Sequence, residues 1–505
     1  MTSWPQNPLI YEINTWVWLG QLSKQHGRHV TLADVPEQQW DAIGRMGFDA
    51  VWLMGVWERS PLGIRVANEN AALLEEFRRV LPDFTEADNV GSPYCVRRYK
   101  VDLHLGGPEG LARAREALSR RGMRLILDYV PNHVALDHPA VAEHPDFFIR
   151  GSHEDLEQDP ASFFEVNGQV IARGRDPNFP AWPDVAQVNA FSEGFRTAIT
   201  DTVASIAAQC DGMRCDMAML MMTDIFRRTW GLRASGAPDI EFWPQIIGAV
   251  RQRHPDVLFI AEAYWDLEAA LQEQGFDYCY DKRLYDRLEH EGASTIRMHL
   301  TAGLDYQRRL VRFIENHDEP RAAATLQPEA RHAAAAIVSM TLPGARLMHQ
   351  GQFEGRQTRI PVFLARGPDE TENTEVRQFY ERLLRGLDLA DGLRGEWSLC
   401  EATGWPDNQS CENLLTWTWR NEDRMSLIVV NYADSASQGM VKLPWPHLSG
   451  TGWRLQDPIA GTKFDRSGHD MQENGLYVDV PPWGTHFLQF VPVAEAVEAE
   501  AATIR

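Results

Sequence analysis

Cysteine is scarce in this chain. Its 505 residues hold six, at positions 95, 210, 215, 279, 400 and 411, with no Cys-x-x-Cys pair among them. That spacing builds neither a disulfide framework nor a zinc knuckle, and it fits a reducing cytoplasm. Long apolar runs are missing as well. A membrane span needs roughly 18 apolar residues in a row, whereas the longest uncharged candidate, His332 to Ala345, is shorter and contains Pro343. The N-terminal MTSWPQNPLIYEIN has no basic start followed by an apolar core, so no signal peptide is expected. Positive charge is in deficit: 49 Lys plus Arg against 71 Asp plus Glu, a formal net charge of −22. Holding a phosphate backbone or an anionic membrane calls for the opposite balance, so neither nucleic acid nor membrane is expected as a partner. There is no Walker loop, dinucleotide glycine fingerprint or nucleophile elbow. Internal repeats and low-complexity linkers are lacking too, and no feature of the sequence sets an oligomeric state.

What is present is an ordinary globular composition, 44% hydrophobic and 24% charged. The length suits two to four domains at roughly 150 residues each. Up to about residue 350, short apolar runs alternate with amphipathic helical stretches. The runs are Leu9 to Asn14, Phe48 to Met54, Arg124 to Val130, Cys210 to Asp216, Val257 to Glu262, Phe276 to Tyr280, Leu310 to Asn316 and Ala345 to Gln350. Several are apolar on both faces, as strands of a covered parallel sheet are. Eight such units predict an α/β fold, a (β/α)8 TIM barrel, with a doubly wound open sheet as the alternative from pattern alone. Two connections, about 58–107 and 133–190, are too long for simple crossovers, and long loops in a compact domain are usually functional. After about residue 390 the texture changes to short strands with turn residues between them, which predicts a C-terminal antiparallel β-sandwich. The expected division is a barrel over 1–131 and 191–390, an inserted domain over 132–190 following strand 3, a β domain over 391–495 and a tail over 496–505.

Active sites of such barrels lie at the C-terminal ends of the strands. The third run ends in Asp128-Tyr129-Val130-Pro131-Asn132-His133, the fourth in Arg214-Cys215-Asp216, the fifth in Glu262-Ala263-Tyr264-Trp265 and the seventh in Glu315-Asn316-His317-Asp318. One charged strand end is commonly just solvated. Carboxylates at several mouths, with two histidines and an arginine among them, point instead to a shared pocket. Carboxylates without a metal-ligating histidine pair suit glycosidic bond chemistry. One must keep its proton near neutral pH and a second must be ionised. An arginine beside the second would hold it ionised by lowering its pKa. Neutral histidines would hydrogen-bond sugar hydroxyls, and Trp265 reads equally as a sugar platform or a core lid.

Four ordered segments, DYVPNH (Asp128 to His133), GMRCDMAML (Gly212 to Leu220), IAEAYW (Ile260 to Trp265) and ENHDEPR (Glu315 to Arg321), resemble the signature regions of the α-amylase family of glycoside hydrolases, family 13. WPDVAQVN (Trp182 to Asn189) and SPYCVRRYKVD (Ser92 to Asp102) resemble two further family segments, and the likeness spans about residues 8 to 490. The resemblance implies a retaining double displacement on α-1,4-glucosidic bonds of maltooligosaccharides or related α-glucans. It implies Asp216 as nucleophile, Glu262 as general acid/base and Asp318 as the third carboxylate, which holds the sugar at the cleavage point. Arg214 matches the arginine beside the nucleophile, His133 and His317 the pair on that sugar's hydroxyls, and Tyr94 the aromatic beneath it. In a retaining pair the two carboxyl groups stand about 5–5.5 Å apart.

The departures matter. Met219-Leu220 stands where many amylases carry Lys-His, which speaks against long-starch endo-cleavage and against calcium. No cofactor is required by this reading; Asn132 matches a common calcium ligand, so calcium stays open through that residue. Arg98 stands where an acidic residue is frequent. Arg356 and Arg359, after the eighth run, read as surface charge in preference to substrate ligands. A transglycosylase, a 4-α-glucanotransferase or a trehalose-forming isomerase would use the same carboxylates. An inactive carbohydrate-binding barrel would usually have lost one of them, and a metal-dependent hydrolase would need more histidines at strand ends.

Overall fold

The computed structural model describes residues 4–234, 236–390 and 393–493. Eight parallel strands close into a barrel: β1 (Leu9–Asn14), β2 (Ala50–Met54), β3 (Arg124–Tyr129), β4 (Gly212–Cys215), β5 (Leu258–Ala261), β6 (Tyr278–Tyr280), β7 (Leu310–Arg312) and β8 (Ala345–His349). Neighbours in sequence are neighbours in space, and β1 meets β8 with Leu9 opposite Arg346 and Glu12 opposite His349. All eight expected runs are strands, as the barrel reading requires. β7 is shorter than its expected run: the ladder stops at Arg312, and Phe313 to Asp318 continue as a loop.

Both faces of the strands are buried, which is why the runs are nearly continuous in apolar residues. Ile10, Trp52, Ile126, Ile260, Phe313 and Leu347 fill the barrel interior. The opposite faces pack against the helical ring. The helix Gly107–Ser119 shows the pattern: Pro108 sits in its first turn, and Leu111, Ala114 and Leu118 are buried.

Two inserts rise over the C-terminal mouth. After β2, a hairpin of Trp57–Arg59 against Val96–Val101 carries the helices Pro61–Glu69 and Ala71–Val80. After β3, His133–Ala135 pairs with Val185–Gln187, and a second hairpin joins Phe163–Val166 to Gln169–Ala172. Beyond the helix Thr374–Leu389, strands from Glu396 onward form a six-stranded and a three-stranded antiparallel sheet. Indole N–H groups of Trp417 and Trp419 donate to the Thr341 carbonyl at 3.2 and 2.8 Å, fastening this β domain to the barrel's outer helix. The strands Gly452–Gln456 and Lys463–Ser467 complete one edge of the six-stranded sheet. The expected tail 496–505 lies outside the described residues. Among the described residues no helix is long and apolar enough to cross a membrane.

Candidate active site

Alternation along β4 places Arg214 and Asp216 on one face and Cys215 on the other, where Cys215 is fully buried in the outer core. The sheet ladder continues one residue past the strands: Asp216 N donates to Tyr129 O at 2.9 Å, and Glu262 N donates to Cys215 O at 3.0 Å. Both carboxylates therefore stand on rigid sheet. Asp318 stands on a loop, tightened by Asn316 Oδ1, which accepts from the N–H groups of Asp318 and Glu319 at 2.9 Å each.

Arg214 is the hub. Its Nη1 lies 2.7 Å from Asp216 Oδ1 and its Nη2 lies 2.9 Å from Glu262 Oε2. Its guanidinium carbon is 5.2 Å from the centre of the Tyr94 ring and 5.3 Å from that of Trp52. Asp128 supports the floor: its Oδ2 accepts from Gly55 N at 3.1 Å, and its carbonyl accepts from Trp57 Nε1 at 2.7 Å. Gly55 has φ +78°, and a Cβ there would meet Pro93 at 2.8 Å, so the close approach needs glycine.

Glu262 is bound on both oxygens. Oε2 accepts from Met217 N at 2.5 Å and forms an ion pair with Arg214 Nη2 at 2.9 Å, and Oε1 accepts from the Tyr264 hydroxyl at 2.9 Å. With Oε2 taking the Met217 N–H and facing the Arg214 guanidinium, a transferable proton belongs on Oε1. Burial pushes the Glu262 carboxyl up to about 7, against the pull of Arg214 and with help from Asp216 and Asp318. The donor Met217 has φ +41°, an uncommon conformation for a side-chain-bearing residue and one stored where a function over-determines it. Asp216 departs from the expectation that its arginine would lower it. Burial raises its carboxyl, and Arg214 offsets this only in part.

The two histidines differ. His133 is buried beside Trp182, and desolvation pushes it down to about 4, so it is neutral. His317 is not the neutral hydroxyl ligand expected. Burial lowers it, but Asp318 and Glu12 outweigh that and hold it well above the ordinary value. Nδ1 lies 2.5 Å from Glu12 Oε1, and Nε2 lies 3.0 Å from Asp318 Oδ2 and 2.6 Å from the Tyr94 hydroxyl. The ring is an imidazolium between two carboxylates. Desolvation raises the Asp318 carboxyl, but this imidazolium wins and keeps it below the usual range.

Glu12 was missed in the sequence, although a single charge inside the apolar run LIYEIN was a signal. It is fully buried, and its Oε2 has no partner. Glu12→Gln keeps an acceptor for the imidazole and removes the charge. His317 should then lose its proton at lower pH, and activity should fall on the alkaline side before the wild type's does. Leaving one partner of a buried pair also costs about 3–5 kcal/mol. NMR titration of the imidazole checks it; an unmoved His317 titration would refute the pairing.

The other expected residues divide. Tyr94, His133, Asp216, Glu262 and Asp318 line one cavity of about 510 Å³, and Tyr264 joins them unforeseen. Trp265 does not line it; it is 40% exposed, with φ +64°. Glu315, expected at a strand end, anchors the loop behind the site through Arg321 at 2.6 Å. Arg98 reaches toward Glu58 at 3.6 Å and not toward the cavity. Arg359 is no free surface charge: it pairs with Glu76 at 2.6 Å. Asn132 is buried, and its Oδ1 accepts from Gln187 Nε2 at 2.9 Å. Calcium wants roughly six to eight oxygens. No group of three or more His, Cys, Asp or Glu suited to a metal exists among the described residues.

A closed β/α barrel gathering carboxylates from β4, β5 and β7 around one arginine is the build of a barrel enzyme. The family model of the α-amylase catalytic domain matches residues 37–411, and the chain belongs to the α-amylase family. It is 25% identical over 447 residues to the alpha-amylase MalA of Haloarcula japonica, covering 85% of this chain and 56% of the relative. It is 24% identical over 261 residues to an alpha-1,4-glucan:maltose-1-phosphate maltosyltransferase of Pseudomonas aeruginosa, covering 50% and 33%. The chain thus spans about half the length of the first relative and a third of the second. Its fold matches the noncanonic maltogenic alpha-amylase AmyB of Thermotoga neapolitana, with a TM-score of 0.68 at 20% identity, over 96% of this chain and 99% of the other.

Proposed function

We propose that the protein is a retaining α-glucoside-active enzyme that cleaves α-1,4-glucosidic bonds of maltooligosaccharides or related α-glucans. One observation carries the reading. Glu262 holds its proton to about 7 beside Asp216, both clamped by the same arginine at the floor of one cavity. Two carboxyl groups in unlike environments are the basis for an acid and a nucleophile. Glu262 gives the Oε1 proton to the leaving oxygen while Asp216 attacks the anomeric carbon. In the second step Glu262 takes a proton from the water or sugar hydroxyl that displaces Asp216. Asp318, fixed by the His317 imidazolium, grips the sugar's hydroxyls, and neutral His133 assists. All six cysteines are unpaired, which supports a reducing cytoplasm as the setting.

Transfer in place of hydrolysis is the second reading. A maltosyltransferase among the relatives and the side of the cavity lined by Met217 and Tyr264 favour it. The test is a product profile on maltose, maltotriose, maltoheptaose, trehalose, sucrose and glycogen, resolved by chromatography and anomer-sensitive NMR. Shorter α-anomeric products are expected from hydrolysis, and longer or rearranged sugars from transfer. First-formed β-anomers would refute retention.

A further inference from the structure

The cavity crosses the barrel mouth and has two unlike ends. At one stand Met217, Glu262 and Tyr264, from the loops after β4 and β5. At the other stand Asn70 and Leu73, from the helices inserted after β2, and Phe363, from the segment after β8. The leaving group departs on the side of the acid, Glu262. The rest of the donor chain must extend toward the opposite end.

That end is sealed. Phe77 and Leu81 of the insert bury themselves against Leu364, with Leu74, Phe84 and Ile360 packed around them. Backbone joins backbone: Val90 N donates to Phe363 O at 2.8 Å, Ala365 N donates to Asp88 O at 2.9 Å, and Asn89 and Leu364 form an antiparallel bridge. Charges cross the same seam, with Arg359 on Glu76 and Arg366 on Asp88, each at 2.6 Å. Beneath it, the buried Arg59 donates to Gly91 O at 2.6 Å and to Val362 O at 3.3 Å, so one side chain holds both lips. Apolar, backbone and ionic contacts together close the two segments on each other along this seam. The cavity of about 510 Å³ suits a compact ligand, whose sites fall between roughly 300 and 1,000 Å³.

We propose that the donor side of this site is a blind pocket. It admits the non-reducing terminus of an α-glucosyl chain, or a small α-glucoside, and excludes chain interiors. The inference rests on the α-glucoside reading above and adds the class of substrate: free non-reducing ends. Any leaving group, sugar or aglycone, exits past Glu262 toward the open rim.

The test uses the wild-type protein and two p-nitrophenyl maltooligosaccharides of equal length. One has a free non-reducing terminus; in the other, O4 and O6 of the terminal glucose are tied as a cyclic acetal. Turnover of the free substrate, with the blocked one about 100-fold slower or worse, is the expected result. Similar rates for the two would overturn the blind pocket and leave the α-glucoside reading standing. Turnover of neither would overturn the α-glucoside reading, and the pocket's substrate class with it.

Discussion

Asp216→Asn should lower turnover by roughly four orders of magnitude, the scale on which one member of a catalytic unit fails. The amide is nearly isosteric, so it keeps the place beside Arg214 Nη1 that the carboxylate holds at 2.7 Å. What it loses is the charge and the nucleophilic oxygen. A structural role would predict loss of fold instead, so circular dichroism and a melting curve accompany the rates. Asp216→Ala gives the sharper measurement. It opens room at the floor, where azide can stand in for the missing oxygen. Restored turnover of an activated α-glucoside, with a β-glycosyl azide as product, would identify residue 216 as the nucleophile. Substantial activity in Asp216→Asn without azide would sink the assignment.

Glu262→Gln is expected to cost about 10²–10⁴-fold on substrates with poor leaving groups and far less on activated ones, because only the former need a proton. The pH profile follows from the raised carboxyl. Glu262 must be protonated to act as the acid, so activity should fall as the pH rises through about 7. This alkaline limb should vanish in the variant. Stability carries the opposite sign of consequence. A carboxyl raised in the fold favours folding fully below its ordinary value of 4.5, and that advantage is lost as the pH rises through about 7. Above that range the wild type holds an ionised group in a desolvated place and Glu262→Gln does not. The variant should therefore melt higher than the wild type at pH 8 while being less active. An unchanged alkaline limb would exclude Glu262 as the acid.

The barrel was legible because its period is simple. Eight short runs, several of them apolar on both faces, read as strands of a covered parallel sheet, and in a barrel the charges ending them share one mouth. Asp216 and Glu262 were legible for the same reason, since each directly follows a strand. Asp318 was placed by its motif, because β7 stops at Arg312 and a loop carries the residue onward. The charge state of His317 was not legible. It depends on Glu12, some three hundred positions away, brought close only when β1 pairs β8. The sealed donor side escaped for a similar reason: Arg359 looks like surface charge until Glu76 is set against it. Asp216 shows a third limit, since the sequence displays its arginine neighbour but not the desolvation that outweighs it.

The pairing of β1 with β8 also has a temporal consequence. Glu12 leaves a ribosome more than three hundred residues ahead of His349, Arg359 and Phe363. Contacts so distant in sequence pay their loop-closure entropy late and form slowly. During synthesis Glu12 has no imidazolium to face, and the apolar helix face around Phe77 has no Leu364 to cover it. A nascent chain halted before β8 would thus carry every catalytic carboxylate and still be inert, with an exposed hydrophobic seam for chaperones to hold. Enzymatic competence should arrive in one step, when the last barrel strand docks onto the first.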